Sequence, residues 1–420
     1  MANTKLTRTF GTNNSGVYKW TYSVWFKRGK IDNAEVITTA DEDDNNTGII
    51  RILADNKLEV YDYQSAYKMQ KITNRLFRDT SAWYHIVVEN DNSVASPETK
   101  IYINGVQETS FSTNTNYSQN QANMFNKNVA NQIGAYQSSS YWTGSMSHFY
   151  FIDGTAYPAS TFGSTDATTG EWTINTSPTV TMGTNGFTIL KDGNTITDQS
   201  TNSNNFTLGG GTLTNTEDCP SDVFATLNPL IPSNGTTSNG NLSYTTSNSA
   251  SNWGYRVSTI GVSSGKWYSE CKLVSGTEAI IGIRSYLTSI TNNQIGYYSD
   301  DVGLYRDGRK TVNNVLTSYA GSYTAGDIIG IAIDLDNNKL YFSKGGLWSN
   351  GSGGWGSSTF DANVGSITIT SASSSTSGFY FSGCTNWDSS SNASFSFNFG
   401  NGYFGTTAIA SAGTNASNIG

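Results

Sequence analysis

Residues 100–107 (KIYINGVQ) contain the local signal that most restricts the fold, an Asn-Gly pair between two short apolar runs. Asn and Gly readily adopt the positive φ angles that both central residues of a type I′ turn require, and this turn joins antiparallel strands. The turn also sets which side chains face each other, with Ile103 opposite Val106 and Tyr102 opposite Gln107. The segment therefore predicts a two-residue β-hairpin and, with it, an antiparallel sheet.

A second hairpin is predicted in the last third of the chain. Residues 328–335 are rich in Ile, Asn337-Asn338 follow, and residues 339–343 (KLYFS) form another strand-like run. A turn at Asn337-Asn338 keeps the inner and outer faces consistent across both strands. It places Leu335 opposite Leu340, Ile333 opposite Phe342 and Asp334 opposite Tyr341. Residues 395–399 (FSFNF) predict a closing strand with three phenylalanines on one face.

The composition extends the β prediction to the whole chain. Charged residues make up 13% of the sequence, about half of the ~25% usual in soluble domains. Polarity comes instead from Asn, Ser, Thr and Gly. The 24 Tyr, 19 Phe and 10 Trp favour half-buried pleated surfaces, while Asn, Gly and Ser favour turns. With 420 residues, the chain is predicted to be all-β, with two jelly-roll-type antiparallel β-sandwiches in tandem.

Changes in local composition divide the chain into four predicted segments. Residues 1–165 hold aromatic and β-branched runs and form the first sandwich, and residues 226–405 form the second. Between them, residues 166–225 are rich in Gly, Asn and Thr and contain short apolar runs, which predicts a small β connector. Residues 406–420 are small and polar and are expected to be a flexible tail.

The charge and the cysteines argue against several classes of protein. The net charge is −8, whereas nucleic-acid binding needs a basic surface. No apolar run approaches the ~20 residues of a membrane span, and the N-terminus lacks the apolar core of a signal peptide. The three cysteines, Cys219, Cys271 and Cys384, show no zinc spacing. They predict reduced, partly buried thiols made in a cytoplasm, with one long-range disulfide as the alternative.

Several short motifs of the first module match a known family. They are residues 22–26 (YSVWF), 83–88 (WYHIVV), 101–106 (IYINGV), Ile133-Gly134 and 142–144 (WTG). On these residues the first module resembles the laminin-G-like, concanavalin A-like β-sandwiches. Further motifs are similar to a group of virion structural proteins from phages of marine bacteria. These are residues 78–84 (RDTSAWY), 151–154 (FIDG), 183–187 (GTNGF), 203–206 (SNNF) and 225–229 (ATLNP).

The second module resembles SPRY-type sandwiches. The matching residues are 265–268 (GKWY), Ile281-Gly282, 326–330 (GDIIG), 334–337 (DLDN), 340–342 (LYF) and 397–400 (FNFG). The sequence departs from that family after Ser343, where a Gly/Ser/Trp-rich insertion replaces a compact turn. The two resemblances imply two sandwich folds and a phage setting, but a fold alone does not define a function.

No catalytic residue is predicted. Glucanases share the concanavalin A-like sandwich, and glycoside hydrolysis generally needs two carboxylates about 5–9 Å apart across the scissile bond. Asp334 and Asp336 alternate, but they lie at a predicted hairpin end, where solvated turn residues are expected. His85 and His148 are the two histidines. No Gly-x-Ser-x-Gly motif accompanies either one, so both are expected to be packed or at a strand edge. The chain is therefore not predicted to be an enzyme.

Residues 41–44 (DEDD) form the densest acidic run. Laminin-G-like domains often hold one calcium ion, which makes Asp41, Asp43 and Asp44 candidate ligands. Calcium takes about six to eight oxygens that converge from several loops, whereas neighbouring acids on one exposed loop are usually solvated. The sequence thus favours no cofactor, with calcium as the alternative.

Aromatic residues within polar loops are the candidate ligand-binding residues. They are Tyr141, Trp142, Trp348, Trp355 and Trp387. Flat aromatic faces among Asn, Asp and Ser suit sugar rings or a polar protein interface. The alternative is that the indoles fold back onto the core, which is favoured for Trp142 because it belongs to the family motif.

These observations predict a phage virion structural protein, such as a capsid fibre, a decoration knob or a tail-fibre module. It would contact other virion proteins and further copies of itself, as a trimer by analogy with fibres, and would bind a glycan on the bacterial surface. It would be made in the host cytoplasm and released by lysis. A polysaccharide-degrading enzyme of the concanavalin A-like class and a free lectin-like adhesin are the alternatives.

Overall fold

The computed structural model describes residues 3–191, 196–247, 254–285, 293–386 and 391–409. The chain divides into two compact units, Met1–Val223 and Phe224–Gly420. Each unit is built from antiparallel sheets and is sandwich-like, which confirms the predicted all-β class. In the described residues, no helix is long and apolar enough to cross a membrane.

The first unit is formed by two large sheets and a small hairpin. Its described strands are β1 Lys5–Thr9, β2 Lys19–Arg28, β3 Glu35–Asp43, β4 Asn46–Ile52, β5 Lys57–Gln64, β6 Tyr67–Leu76, β7 Tyr84–Asp91, β8 Glu98–Ile103, β9 Val106–Gln107, β10 Phe111–Thr115, β11 Ala130–Ile133, β12 Gly144–Asp153, β13 Gly163–Thr165, β14 Trp172–Ile174, β15 Phe187–Ile189 and β16 Thr207–Gly210. A short 3-10 helix spans Ala159–Thr161. The sheets have the orders β10-β6-β5-β4-β3-β11-β1-β16 and β15-β12-β2-β7-β8-β9, and β13 pairs with β14.

The core of the first unit lies between the two large sheets. Aromatic rings from β2 and β12 fill its centre, where Tyr22 lies 4.6 Å from Phe151 between ring centroids. Trp20 packs in the same way on Phe125, at 4.7 Å. All four side chains are buried. Ring pairs of this kind add to the stabilisation from burial of their area.

The outer face of the sheet that contains β2 is covered as well. Residues 157–182 fold across it and form a second, smaller core with Val87, Tyr150 and Ile152. Beneath this covering, the His85 ring stacks on Trp25 at 4.6 Å and on Trp172 at 6.0 Å. Double coverage explains why β2 is buried on both faces rather than alternating.

The first predicted hairpin is confirmed. Tyr102 pairs with Gln107, and Ile103 pairs with Val106. Asn104 and Gly105 connect the strands with φ angles of 47° and 78°, as a type I′ turn requires. His85 is packed, as the sequence predicted, with only 1% of its surface exposed.

Strands from residues 166–225 are hydrogen-bonded into the first unit. β15 pairs with β12 at the edge of one large sheet, and β16 pairs with β1 at the edge of the other. The end of the unit is fastened by the buried Asp218, whose Oδ2 lies 2.8 Å from Lys27 Nζ. The unit therefore extends beyond residue 165, because these short strands satisfy sheet edges that the first 165 residues leave open.

The second unit also has two large sheets. Its described strands are β17 Thr236–Ser238, β18 Ser243–Thr245, β19 Gly254–Val257, β20 Lys266–Ser275, β21 Ala279–Arg284, β22 Val302–Tyr305, β23 Arg309–Val312, β24 Val315–Ser318, β25 Ile328–Asp334, β26 Lys339–Lys344, β27 Leu347–Trp348, β28 Ile367–Thr368, β29 Phe381–Asn386, β30 Ser394–Asn398, β31 Tyr403–Phe404 and β32 Thr407–Ala408. A 3-10 helix spans Ala372–Ser374. One sheet has the order β17-β18-β30-β20-β25-β26-β27, with β28 paired to β26, and the other has the order β19-β29-β21-β22-β23-β24.

The register predicted for the second hairpin is wrong by two residues. Ile333 pairs with Leu340 and Asp334 with Lys339, so residues 335–338 form a four-residue loop. The cause lies in the side chain of Asp334, whose Oδ1 accepts the backbone N–H of Asn337 at 3.1 Å. Asn338 alone adopts a positive φ, of 53°. A shift of two residues preserves the faces, so Ile333 and Leu340 still point into the core.

Side chains from both sheets form the core of the second unit. Phe395 and Phe397 of β30 are fully buried, and Phe399 stacks on Phe397 at 5.2 Å, which agrees with the predicted closing strand. All three cysteines carry free thiols: Cys271 and Cys384 are buried, and Cys219 is half-buried. Burial raises the pKa of the Cys271 thiol well above its ordinary value. Within the predicted tail, Thr407 pairs with Phe404, while residues 410–420 lie outside the described residues.

Candidate functional site

The outer face of the larger sheet in the second unit carries the candidate site. In β20, Cys271 and Leu273 point into the core, so Tyr268 and Glu270 point to the opposite face. Cross-strand pairs extend this face through β25 to β26 in two rows. One row is Tyr268, Ala332 and Tyr341, and the other is Glu270, Gly330 and Ser343. Ser343 in turn pairs with Trp348, which brings that indole to the same face.

Four aromatic side chains lie along this face, and we call them the aromatic strip: Tyr268, Tyr341, Trp348 and Phe360. Phe360 lies edge-on to Tyr341 and Trp348, with 5.0 and 4.9 Å between ring centroids, a geometry that ring quadrupoles favour. The loop that carries Phe360 is fastened by the Tyr341 hydroxyl, which donates to the carbonyl of Ala362 at 2.9 Å. Phe360 remains 48% exposed, so the strip offers a positioned ring to solvent.

Tyr268 rests on a glycine. A Cβ at Gly330 would lie 2.5 Å from the Tyr268 Oη and 3.0 Å from its Cε2, and would clash with Ser343 Oγ. The phenol therefore occupies space that any other residue at position 330 would fill. Its hydroxyl donates to Glu270 Oε1 at 2.9 Å. The ring is held at its tip while Tyr268 stays 53% exposed.

Polar groups border the strip. Glu270 Oε2 accepts from Asn398 Nδ2 at 3.4 Å, and an ionised carboxylate can accept about four hydrogen bonds in all. Glu270 thus has capacity for further donors. On the other side of Tyr268, Lys266 and Asp334 form an ion pair of 3.5 Å. The surface can pack against the apolar face of a ring-shaped ligand and accept hydrogen bonds from hydroxyl groups at its edge.

Trp355, another predicted ligand residue, lies on the opposite side of its hairpin. Backbone hydrogen bonds join residue 348 to residues 356 and 357, and Ser349 forms a β-bridge with Trp355. Because neighbouring residues of an extended segment point to opposite faces, Trp355 faces the core of the unit, where it packs half-buried. Its Nε1–H donates to the carbonyl of Ser322 at 3.2 Å. Trp355 is therefore not part of the strip.

The candidates of the first unit do not form a comparable surface. Trp142 is half-buried and packs edge-on against Phe26 at 5.2 Å, as favoured from the sequence. Tyr141 beside it is half-buried too. Trp387, a candidate of the second unit, lies outside the described residues.

An aromatic group that the sequence did not indicate lies on the outer face of β5 and β6, where Tyr67 is edge-on to Tyr61 and Tyr63, with 5.6 and 5.1 Å between ring centroids.

The acidic run at residues 41–44 does not converge. Asp43 accepts the backbone N–H of Asn45 at 2.8 Å, and Asp44 accepts from Tyr136 Oη at 3.3 Å. Asp41 is half-buried on β3, and burial raises its pKa. Among the described residues, no group of three or more His, Cys, Asp or Glu side chains is placed to hold a metal ion. The geometry thus gives no support to the calcium alternative at Asp41, Asp43 and Asp44.

Sequence reasoning found one of the four strip residues, Trp348. Tyr268 and Tyr341 lie inside strands, where the alternation of side chains does not tell which face is exposed. The predicted hairpin did place Tyr341 on the outer face, away from Ile333 and Leu335. Phe360 lies in a loop of small polar residues. The signal that could have found Tyr268 is the glycine on the neighbouring strand, because Gly330 in a buried Ile-rich strand indicates a close contact.

Comparison with known proteins agrees with the fold. Residues 5–160 match the family model of the concanavalin A-like lectin/glucanases superfamily. No curated protein matches the chain in sequence. Among solved structures, the chain is similar to the SPRY domain of human HERC1, with a TM-score of 0.31 and 16% identity over 41% of this chain and 96% of that one.

Two further structures are similar. A human SPRY domain matches with a TM-score of 0.29 and 16% identity, over 38% of this chain and 91% of that one. Domain 4 of AbnA, a GH43 extracellular arabinanase from Geobacillus stearothermophilus in complex with arabinotriose, matches with a TM-score of 0.26 and 17% identity, over 34% of this chain and 64% of that one. The family match thus covers residues 5–160, which are similar to the concanavalin A-like lectin/glucanases superfamily.

Proposed function

We propose that this chain is a structural protein of a phage virion that binds a glycan on the bacterial surface through the aromatic strip, without cleaving it. The observation that supports the glycan-binding part is the packing of the Tyr268 ring directly on Gly330. An exposed ring that is fixed by a hydrogen bond at its tip loses little conformational freedom on binding. It is suited to stacking rather than to filling a core.

The chemistry of the strip supports a sugar ligand. One face of a pyranose ring carries C–H groups, which pack on the negative face of an aromatic ring, while its edge carries hydroxyl groups. Phe360 and Tyr268 supply exposed rings, and Glu270 supplies acceptors beside them. Ala332, between Tyr268 and Tyr341, keeps this part of the surface low.

The use of nearby carboxylates supports binding without cleavage. Asp334 caps the hairpin loop through Asn337, and Asp336 Oδ1 accepts the backbone N–H of Gly265 at 3.0 Å. Both groups thus hold turns. A glycosidase would need a free pair of carboxylates on either side of the bond that is cleaved.

The virion setting rests on the sequence motifs that resemble phage structural proteins and on the two sandwich units. The proposed partners are other virion proteins and further copies of this chain, as a trimer by analogy with fibres. The buried free thiols of Cys271 and Cys384 suit synthesis in a reducing bacterial cytoplasm, with release by lysis.

Two measurements test this proposal. Mass spectrometry of purified phage particles should detect the chain, and its absence from the particle would remove the virion role. A glycan array probed with the full chain should give binding that Tyr268→Ala abolishes. Trp267→Ala is the matched control, because Trp267 is the next residue in β20, is 52% exposed and points to the opposite face. Equal loss in both variants would refute the strip as the binding surface.

A further inference from the structure

Carboxylates and lysines both lie around the aromatic strip, and Glu270 is the carboxylate that accepts the hydrogen bond of the Tyr268 hydroxyl. Glu270 lies between Tyr268 and Asn398, Asp334 lies at the far end of β25, and Asp361 follows Phe360 in the loop. Burial, together with the charges of Asp334 and Asp361, raises the pKa of the Tyr341 hydroxyl. Three carboxylates are therefore close enough to act on groups that approach the strip.

The lysines on this face contact other side chains or lie beyond Glu270. Lys266 forms its ion pair with Asp334, and Lys339 Nζ donates to Thr368 Oγ1 at 2.8 Å. Lys272 is the next outward residue of β20, on the side of Glu270 away from Tyr268. Lys266 offsets the charge of Asp334, so Glu270, which is hydrogen-bonded to Tyr268 and Asn398, is the carboxylate that a ligand stacked on Tyr268 meets.

From this arrangement we infer that the strip selects neutral glycans and rejects sulfated or uronate-containing ones, with Glu270 as the residue that discriminates. The inference rests on the proposed glycan-binding function. Glu270 accepts hydrogen bonds from the hydroxyl groups of a neutral sugar, whereas a sulfate or carboxylate at the same position brings two negative charges together without a donor.

The test compares glycans that share a backbone and differ in charge. The pairs are methyl-esterified and unesterified polygalacturonate, mannan and polymannuronate, and desulfated and native carrageenan oligosaccharides, each titrated against the full chain by calorimetry. At least one neutral member should bind. The affinity of its charged counterpart should be lower by a factor of about ten or more, as expected for one like-charge contact at a protein surface. Glu270→Gln should reduce that ratio to about threefold or less by strengthening the charged ligand.

The outcomes separate the two proposals. If a charged glycan binds as tightly as its neutral counterpart and Tyr268→Ala abolishes both, the selectivity is refuted and glycan binding at the strip stands. If Glu270→Gln leaves the ratio unchanged, Glu270 is not the discriminating residue. If Tyr268→Ala leaves binding of a glycan intact, or if no member of the panel binds, the proposed function falls together with this inference.

Discussion

The indole N–H of Trp172 donates a 3.0 Å hydrogen bond to Nδ1 of His85. Nδ1 is thus an acceptor, and the proton of the neutral ring is on Nε2, which lies 2.9 Å from Ser23 Oγ. The ring is buried between Trp25 and Trp172 and has no place for a second proton. Burial lowers the pKa of His85 from 6.5 to about 3.

This lowered pKa predicts acid sensitivity of the first unit. Between pH 6.5 and about 3, the unfolded chain binds a proton that folded His85 does not bind, so the free energy of unfolding decreases as the pH falls. The loss should be on the order of 3–5 kcal/mol over the whole window. Melting temperatures from pH 7 to 3 should fall less steeply in His85→Gln than in the native chain. His148→Gln, which removes only the smaller electrostatic effect of that ring on His85, should change the slope less, and an unchanged slope in His85→Gln would contradict the assignment.

Replacement of Asp218 should destabilise the first unit strongly. Its carboxylate is 2.8 Å from Lys27 Nζ and accepts from Trp83 Nε1 at 3.0 Å, and all three side chains are buried. Asp218→Ala removes the carboxylate that pairs with the buried Lys27 ammonium and with the Trp83 indole, which should cost about 3–5 kcal/mol. Hydrogen exchange of the full chain should show faster opening of β2. Asp55→Ala, which breaks an exposed pair with Lys57, should change stability by less than about 1 kcal/mol.

Gly105→Ala should disturb the packing of residues 157–182 on the outer face of the sheet that contains β2. Gly105 has a φ of 78°, and a Cβ there would clash with the Trp172 ring. Gly170→Ala is the control, because its φ is 75° and no neighbouring atom lies within 4 Å of the position that its added methyl group would take. Backbone strain of about 1–2 kcal/mol is common to both. Only Gly105→Ala should also displace Trp172, seen as a change in tryptophan emission and as a higher pKa of His85 by NMR titration.

Gly330→Ala should weaken glycan binding without unfolding the second unit. The added methyl group would displace the Tyr268 ring from its seat. A double-mutant cycle separates this route from a general one, since Gly330→Ala should have no further effect on affinity in a Tyr268→Ala background. Additive losses of affinity would show that Gly330 acts independently of Tyr268.

The two hairpins show what local sequence could and could not determine. Asn104-Gly105 was predictable because the backbone angles of the turn depend on these two residues alone. The loop at 335–338 was not, because a side chain outside the turn, Asp334, selects the longer loop. The strip was missed for a related reason. Whether the outer face of β20 is bare or covered depends on loops far along the chain, as β2 of the first unit, covered by residues 157–182, demonstrates.

The pairing of β1 with β16 has a consequence for synthesis of the protein. Lys5 lies beside Gly210 and Thr7 beside Thr207, so about two hundred further residues must leave the ribosome after β1 before its ladder is complete. Until then, one edge of β1 exposes unpaired amide and carbonyl groups, which can pair with other nascent chains. A fragment cut after residue 165 would keep that edge open permanently and would lack Asp218. A fragment designed to express the first unit alone should therefore include all residues up to Val223.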